Sequence, residues 1–386
     1  MRSVFVMIAA LSAATVSAAE SVEVEWTKTV CDASPHTLGW PSVARLKDGT
    51  LLAVFSGDRR AHICPYGVVQ VVRSEDGGVT WSRPVTIGDT PVDDRDAGIC
   101  VLPDGEILVT WFTSIAYYTH PFFYKRFGRL EKRGLDELKK EVDYFCVRSR
   151  DGGKTWGRPE RMLSLQGSSP HGPIVLKDGS LLSVGRTPAW RDAAEKGFAE
   201  IETFLTCEKS ADGGRTWRTL CEKIPVMERD AGKPNFLHEP HVAELPDGRL
   251  VTMVRFNGPD KCFRRSISSD GGKTWSPLLR TKLKAGSTAP HVLALPDGRL
   301  MCSYGIRDGD RGVGEYVAFS PDAGETWTKV NEFPLFECEK GIWSGDMGYP
   351  ATVGLGGDSF LTVFYQPEKK GAKSVLMAVK WRCLFR

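Results

Sequence analysis

One octapeptide pattern, Ser-x-Asp-Gly-Gly-x-Thr-Trp, returns along this chain at Ser74–Trp81, Ser149–Trp156, Ser210–Trp217 and Ser268–Trp275, and a fifth copy, Ser320–Trp327, carries Ala323 in place of the first Gly. Fixed self-similarity of this kind restricts the fold to an array of like units, each too small to bury both of its faces alone. The chemistry of the pattern is that of a tight turn. Asp and Ser or Thr bond turn amides, the Gly pair supplies backbone angles closed to other residues, and Trp packs beneath as an anchor.

A second pattern alternates with the first: an apolar run, Asp-Gly, and another apolar run, as in "VARLKDGTLLAVF" around Asp48. It recurs at Asp104, Asp178, Asp247 and Asp297, with a degenerate copy, "VGLGGDSFLTVF", at Gly357-Asp358. Asp-Gly between alternating apolar runs is a hairpin signal. Each cycle therefore yields two hairpins, or four short strands, and six cycles follow one another. Radial stacking of such sheets predicts an all-β, six-bladed β-propeller of four-stranded antiparallel blades. The last cycle has only three candidate strands, near 351–353, 360–365 and 374–383. The strand-like "VEVEWTKTV" at Val22–Val30 is expected to supply the fourth and close the ring.

Two segments break the pattern and are read as short helical loop insertions, about 113–142 and 187–205. The first holds an aromatic cluster (Tyr117, Tyr118, Phe122, Phe123, Tyr124) followed by the charged helical stretch "RLEKRGLDELKKEV"; the second holds "AWRDAAEKGFAEIETF". Loop insertions in propellers usually shape the mouth of the axis.

Residues 1–19 have the layout of a secretory signal: Arg2, an apolar run from Val4 to Val16, and small residues before a cleavage point at Ala18 or Ala19. The run is too short to span a bilayer. The expectation is one propeller domain over residues 20–386, secreted or periplasmic, with no membrane span. The 51 Lys and Arg against 48 Asp and Glu give a net charge of +3 with no basic tract, so nothing favours nucleic acid as a partner. The ten Cys are scattered without zinc-like spacing, and most are read as buried thiols; Cys207 and Cys221, flanking a hairpin, are the one pair placed for a disulfide. No metal or cofactor is expected. "HEPH" at 238–241 is not the H-E-x-x-H zinc pattern.

The start of each innermost strand faces the axis of a propeller. Shortly before the Asp-Gly turns stand Trp40, Asp96, His171, His241, His291 and Tyr349, with Glu239 two residues ahead of His241. Singly, each His suits a strand cap or a bond to a loop carbonyl. Together, an aromatic platform, imidazoles, an acid and a phenol are the groups of a sugar pocket.

The five octapeptides are Asp boxes, and the chain resembles the sialidase family over nearly its whole length past residue 20. Sialidases are retaining glycosidases with a Tyr nucleophile. The resemblance implies a glycan substrate ending in sialic acid or a related acidic sugar, a Tyr polarised by a Glu, an Asp as acid/base, and three Arg that hold the sugar carboxylate. Residue by residue, "LHEPHVAELPDGRLVTMVR" implies Glu239 as the activating acid and Arg255 as a clamp arginine. "RGVGEYVAFSPDAG" implies Arg311 as another, and "GDMGYPATVGLGGDSFLTVFYQ" implies Tyr349 as nucleophile.

The N-terminal part departs from the family. Gly39-Trp40-Pro41 stands where an Arg-Ile-Pro would give the first clamp arginine, whereas Arg59 in "VFSGDRRAHICPYG" resembles the family Arg after the first hairpin. His62 is the titratable group nearest the expected acid/base position, with Asp58, Asp94 and Asp96 as other candidates. Besides a sialidase-type exo-glycosidase, the same pocket suits a polysaccharide lyase, another glycan hydrolase, or a non-catalytic carbohydrate-binding propeller.

Overall fold

In the computed structural model, described over residues 19–385 apart from 33–34, 168, 188–203, 228–235, 285–287, 308–311, 328–331, 340–345, 368 and 370, the chain forms six four-stranded antiparallel sheets. Five are built from consecutive strands. The sixth joins Gly348–Gly356, Ser359–Pro367 and Ser374–Phe385 to the first strand, Ala19–Cys31, which pairs antiparallel along Ser374–Phe385. The strand expected at Val22–Val30 thus closes the ring. The sheets are numbered here as blades 1 to 6, with the closing strand in blade 6. The signal-like residues 1–18 and the helix expected at 187–205 lie outside the described residues, apart from the edges of the latter.

The six first strands line the axis: Thr37–Arg45, Asp93–Val101, Ile174–Val175, Leu237–Glu244, His291–Ala294 and Gly348–Gly356. Their downstream halves surround a cavity of about 370 Å³ that takes residues from every blade.

Each Asp box closes on itself and docks on the blade before it. In blade 1 the Ser74 hydroxyl donates to Asp76 and accepts from Gly78 N, Asp76 accepts from Thr80 N and Oγ1, and Trp81 Nε1 donates to Gly78 O. The same set recurs around Asp151, Asp212, Asp270 and Asp322. Trp275 of blade 4 packs with Leu182 and Cys207 of blade 3, and Trp327 of blade 5 with Val251 and Met253 of blade 4. The second Gly is needed twice over: Gly272 has φ +94°, and a Cβ there would stand 2.8 Å from Cys207 Sγ of the preceding blade. These plugs make the repeat a device for joining blades, which is why the motif reports the fold.

The insertion at 113–142 differs from expectation. Helix forms in its aromatic half, at Ala116–Thr119 and Pro121–Arg126, and the charged stretch yields one 3-10 turn, Gly128–Leu130, and one short helix, Leu135–Lys139. Gly134, in extended conformation, interrupts it. Among the described residues no helix is long and apolar enough to cross a membrane. All ten Cys are free thiols; Cys207 and Cys221 face each other across the ladder unbonded.

Candidate active site

Four side chains enter the axial mouth from equivalent places. Trp40, Asp96, Glu239 and Tyr349 each stand eight residues before the hairpin residues Asp48, Asp104, Asp247 and Gly357. All four have left-handed backbones, with φ of 53°, 54°, 46° and 55°. Each coincides with an irregularity in the pairing of its strand. A bulge turns a side chain out of the sheet's alternation and re-aims it, here toward the axis. The conformation costs about 1–2 kcal/mol per non-Gly residue, and three of the four precede a Pro, which disfavours it further. Strain repeated at four convergent positions marks a functional mouth.

At its centre the Tyr349 hydroxyl donates to Glu239 Oε1 at 2.5 Å, and Arg255 Nη1 donates to both Glu239 Oε2 (2.6 Å) and the Tyr349 oxygen (3.0 Å). Burial and the charge of Glu239 push the Tyr349 phenol well above its ordinary value, so it rests protonated. Burial would raise Glu239, but Arg255, His238 and the Tyr349 hydroxyl outweigh it and hold the carboxylate ionised. The arrangement is a phenol with a proton acceptor on one side and a guanidinium ready for the negative charge that develops on its oxygen.

Arg307 is the second arginine here. Its Nε donates to Met347 O (2.8 Å), its Nη2 to Tyr365 Oη (3.2 Å), and its guanidinium carbon lies 5.7 Å from the centre of the Tyr349 ring. Arg311, expected in this role, lies outside the described residues. The Tyr365 hydroxyl in turn donates to Asp346 (2.7 Å), whose two carboxylate oxygens each lie 3.1 Å from His62 Nδ1. Burial acts to raise Asp346, but His62, Tyr365 and Arg307 hold it well below the usual carboxylate range. His62 keeps an exposed imidazole at the rim and meets Trp40 edge-on at 5.1 Å between ring centres.

Blade 1 shows what surrounds Trp40. Its ring is 2% exposed and packs against two guanidinium groups, Arg59 at 4.5 Å and Arg95 at 4.0 Å from its centre, both paired with buried Asp93. Trp40 is a buried wall that also touches Tyr349 and Tyr365, rather than an open platform. Arg59 donates to Ser56, Asp93, Asp94 O and His62 O, so it fixes the His62 loop. Among the Asp candidates, Asp58 bonds His36 and Asp94 is spent on Thr90 and Trp111. Asp96 is different: its Oδ1 is buried without a hydrogen bond among the described residues, and burial, with the charges of Glu239 and Asp93 assisting against Arg95 and Arg59, raises it to about 7.

The three histidines form a group of their own. His171, His241 and His291 are buried with ring centres 4.4–5.4 Å apart, and they line the axial cavity with the downstream halves of the inner strands. His241 and His291 stand two residues past the mouth position, where Glu239 and Ala289 sit. His241 Nδ1 accepts from Val292 N (3.0 Å) and His291 Nδ1 from Thr352 N (3.4 Å), so each staples its blade to the next. Burial pulls His241 down to about 3 and the other two well below their ordinary value, leaving all three neutral. No group of three or more His, Cys, Asp or Glu suited to a metal occurs among the described residues.

The spacing argument missed Arg307, Asp346, Tyr365, Asp93 and Arg95. "VFYQ" carries Tyr365 at the place that Arg255 holds in blade 4, each eight residues past the hairpin residue, so a register count would have found it. Asp346 and Arg307 sit in loops and leave no periodic signal.

The BNR repeat-like domain family matches residues 131–360. A sialidase of Bacteroides fragilis is 28% identical over 214 residues, which are 50% of this chain and 38% of that protein, so the match spans well under half of that curated relative. Among solved structures, a protein of unknown function from Dyadobacter fermentans superposes with a TM-score of 0.72 at 22% identity, covering 94% of this chain and 99% of that one. A Hadza microbial sialidase superposes with a TM-score of 0.64 at 18% identity, over 90% and 66% of the two chains. With more than half of its length matched and with six blades, five of them carrying Asp boxes, the chain belongs to the BNR repeat-like domain family within the sialidase superfamily.

Proposed function

We propose that the protein is an exported exo-glycosidase of sialidase type that removes a terminal acidic sugar with retention. The observation that carries the proposal is the Tyr349 hydroxyl on Glu239 at 2.5 Å with Arg255 bonded to both. As the phenol oxygen attacks the anomeric carbon, its proton passes to Glu239 and Arg255 stabilises the charge on the oxygen. A Tyr suits this step because a neutral phenol approaches an acid-bearing centre without the repulsion of a carboxylate nucleophile.

His62 gives a proton to the leaving oxygen, and the ionised Asp346 beside it balances the imidazolium that acts as donor. Water then attacks the tyrosyl-linked sugar, His62 takes its proton, and Tyr349 recovers its own from Glu239. Arg255 and Arg307 hold the sugar's acid group. Asp96, raised to about 7 by burial, can donate to a sugar hydroxyl when protonated or accept from one when ionised.

The test uses the purified protein with fluorogenic glycosides of N-acetylneuraminic acid and of uronic acids, and a fluorinated analogue of the turned-over sugar to trap the intermediate. The reading expects release of fluorophore and a covalent mass increase mapped to Tyr349. Fluorophore release without a trapped tyrosine would remove the retaining mechanism. A new absorbance from an unsaturated uronate, with no hydrolysis, would identify a lyase, and binding with neither signal a carbohydrate-binding propeller. Export is checked by N-terminal sequencing of the secreted protein, which should begin near residue 20.

A further inference from the structure

Arg186 ends the second strand of blade 3, Leu181–Thr187, eight residues past Asp178, the register place that Arg255 holds eight residues past Asp247 in blade 4. Its strand lies against the blade 4 strand that carries Glu239. The other arginines around the mouth are committed: Arg59 and Arg95 to Asp93, Arg255 to Glu239, Tyr349 and Asn257, Arg307 to Met347 O and Tyr365. Arg186 has no hydrogen bond or ion pair among the described residues, and its Nε is buried without a partner. Burial weakens its hold on its proton, the charges of Glu239 and Tyr144 act the other way, and Arg255 adds repulsion. A buried guanidinium donor left unpaired is costly, and an incoming anion relieves it.

We propose that Arg186 is a third cationic arm of the acidic-sugar clamp, contributed by blade 3. The clamp then runs along the arc of blades 3, 4 and 5, on the side of the axis away from Trp40, so the loss of an arginine from blade 1 is offset across the mouth. This rests on the acidic-sugar reading of the site. The ligand class is a carboxylated monosaccharide. An acid group on the anomeric carbon stands nearest Arg255 and Arg307, beside the Tyr349 oxygen, whereas one farther along the ring draws more on Arg186.

The experiment is calorimetric titration of the wild-type protein, Arg186→Gln, Arg186→Lys and Arg255→Gln with N-acetylneuraminic acid and with glucuronic acid, with N-acetylglucosamine as the neutral control, each variant's melting temperature being recorded. For the sugar acid that wild type binds, Arg186→Gln should weaken binding about 10- to 100-fold, the range of one charge-assisted contact, and flatten its salt dependence. Arg186→Lys should fall between the two. The neutral sugar should not respond, and melting should change little. If Arg186→Gln does not fold, the Lys variant carries the test, since it keeps the charge but loses the planar fork. Binding within twofold of wild type in the Gln variant, or in the Lys variant where Gln does not fold, while Arg255→Gln abolishes it, removes Arg186 from the clamp. A fall in turnover with unchanged affinity also overturns the proposal, making Arg186 a positioning group for Glu239. If neither sugar acid binds the wild type, the acidic-sugar reading itself falls, and the proposal with it.

Discussion

His62 of blade 1 and Asp346 of blade 6 meet across the mouth, with Nδ1 3.1 Å from each carboxylate oxygen, although 284 positions separate them in the chain. The pair engages Nδ1 and leaves the imidazole exposed at the rim. If His62 protonates the leaving group, His62→Ala should lower kcat/KM by about 10²–10⁴-fold on glycosides with alkyl leaving groups. Activated aryl glycosides should lose far less in the first step. Asp346→Asn should act in the same direction but more weakly. Steady-state kinetics over a series of leaving groups checks this, and a uniform loss across the series would remove His62 from proton transfer.

Tyr349→Phe deletes the hydroxyl proposed as nucleophile while keeping the ring that packs on Trp40 and Tyr365. Turnover should fall by at least about 10²-fold with the melting temperature nearly unchanged. Glu239→Gln should cost about as much, since the proton then lacks an acceptor, and kinetics beside thermal melting separates chemistry from folding.

Trp40→Arg would place a third guanidinium against Arg59 and Arg95, which have Asp93 as their one shared carboxylate. The expected outcome is destabilisation by roughly 3–5 kcal/mol from lost packing and an unpaired buried charge, with no gain of sialoside hydrolysis. Chemical denaturation and a fluorogenic assay read the two effects. Trp40→Phe should be milder.

Glu315 of blade 5 is buried with both oxygens free of hydrogen bonds among the described residues, and burial raises it to about 8 against the opposing charge of Arg307. Folded protein therefore keeps a proton that the unfolded chain releases above its ordinary value near 4.5. Stability contributed by this group is constant below pH 4.5 and falls as pH rises toward 8. Glu315→Gln should be close to wild type at pH 5 and more stable at pH 8, by an amount on the order of 3–4 kcal/mol if the group is not relieved by local opening. Melting curves across that range decide it.

The ten thiols are free, and burial raises Cys207 to about 12. Reductant should not change the melting temperature, and alkylation under denaturing conditions should add ten adducts by mass. A shortfall of two would show that Cys207 and Cys221 bond in solution.

Much of this was legible along the chain because the fold is repetitive. Ser, Asp, Gly, Thr and Trp of each box bond within eight residues, so the turn is a local fact and five copies announce the ring. Closure by Val22–Val30 followed from counting strands. Glu239 and Tyr349 were legible because each lies at a fixed distance from its own hairpin. The histidines at 241 and 291 were placed at the mouth by the same count, but the bulges move Glu239 and Tyr349 there and leave the imidazoles deeper, stapling blades. A bulge shifts register by one residue and leaves no unambiguous mark in sequence.

What the sequence by itself determined is therefore the architecture and the places of Glu239 and Tyr349 at the mouth, since both rest on contacts within one repeat or on the spacing between a residue and its turn. Only the tertiary structure decided how the mouth is charged. Arg307, Asp346 and Tyr365 join His62 and Tyr349 across the closed ring, Trp40 packs against two arginines, and Arg186 has no ion pair among the described residues. Those relations depend on which blades are neighbours and which groups are buried, and burial and long-range charge are properties of the assembled ring that no local pattern encodes.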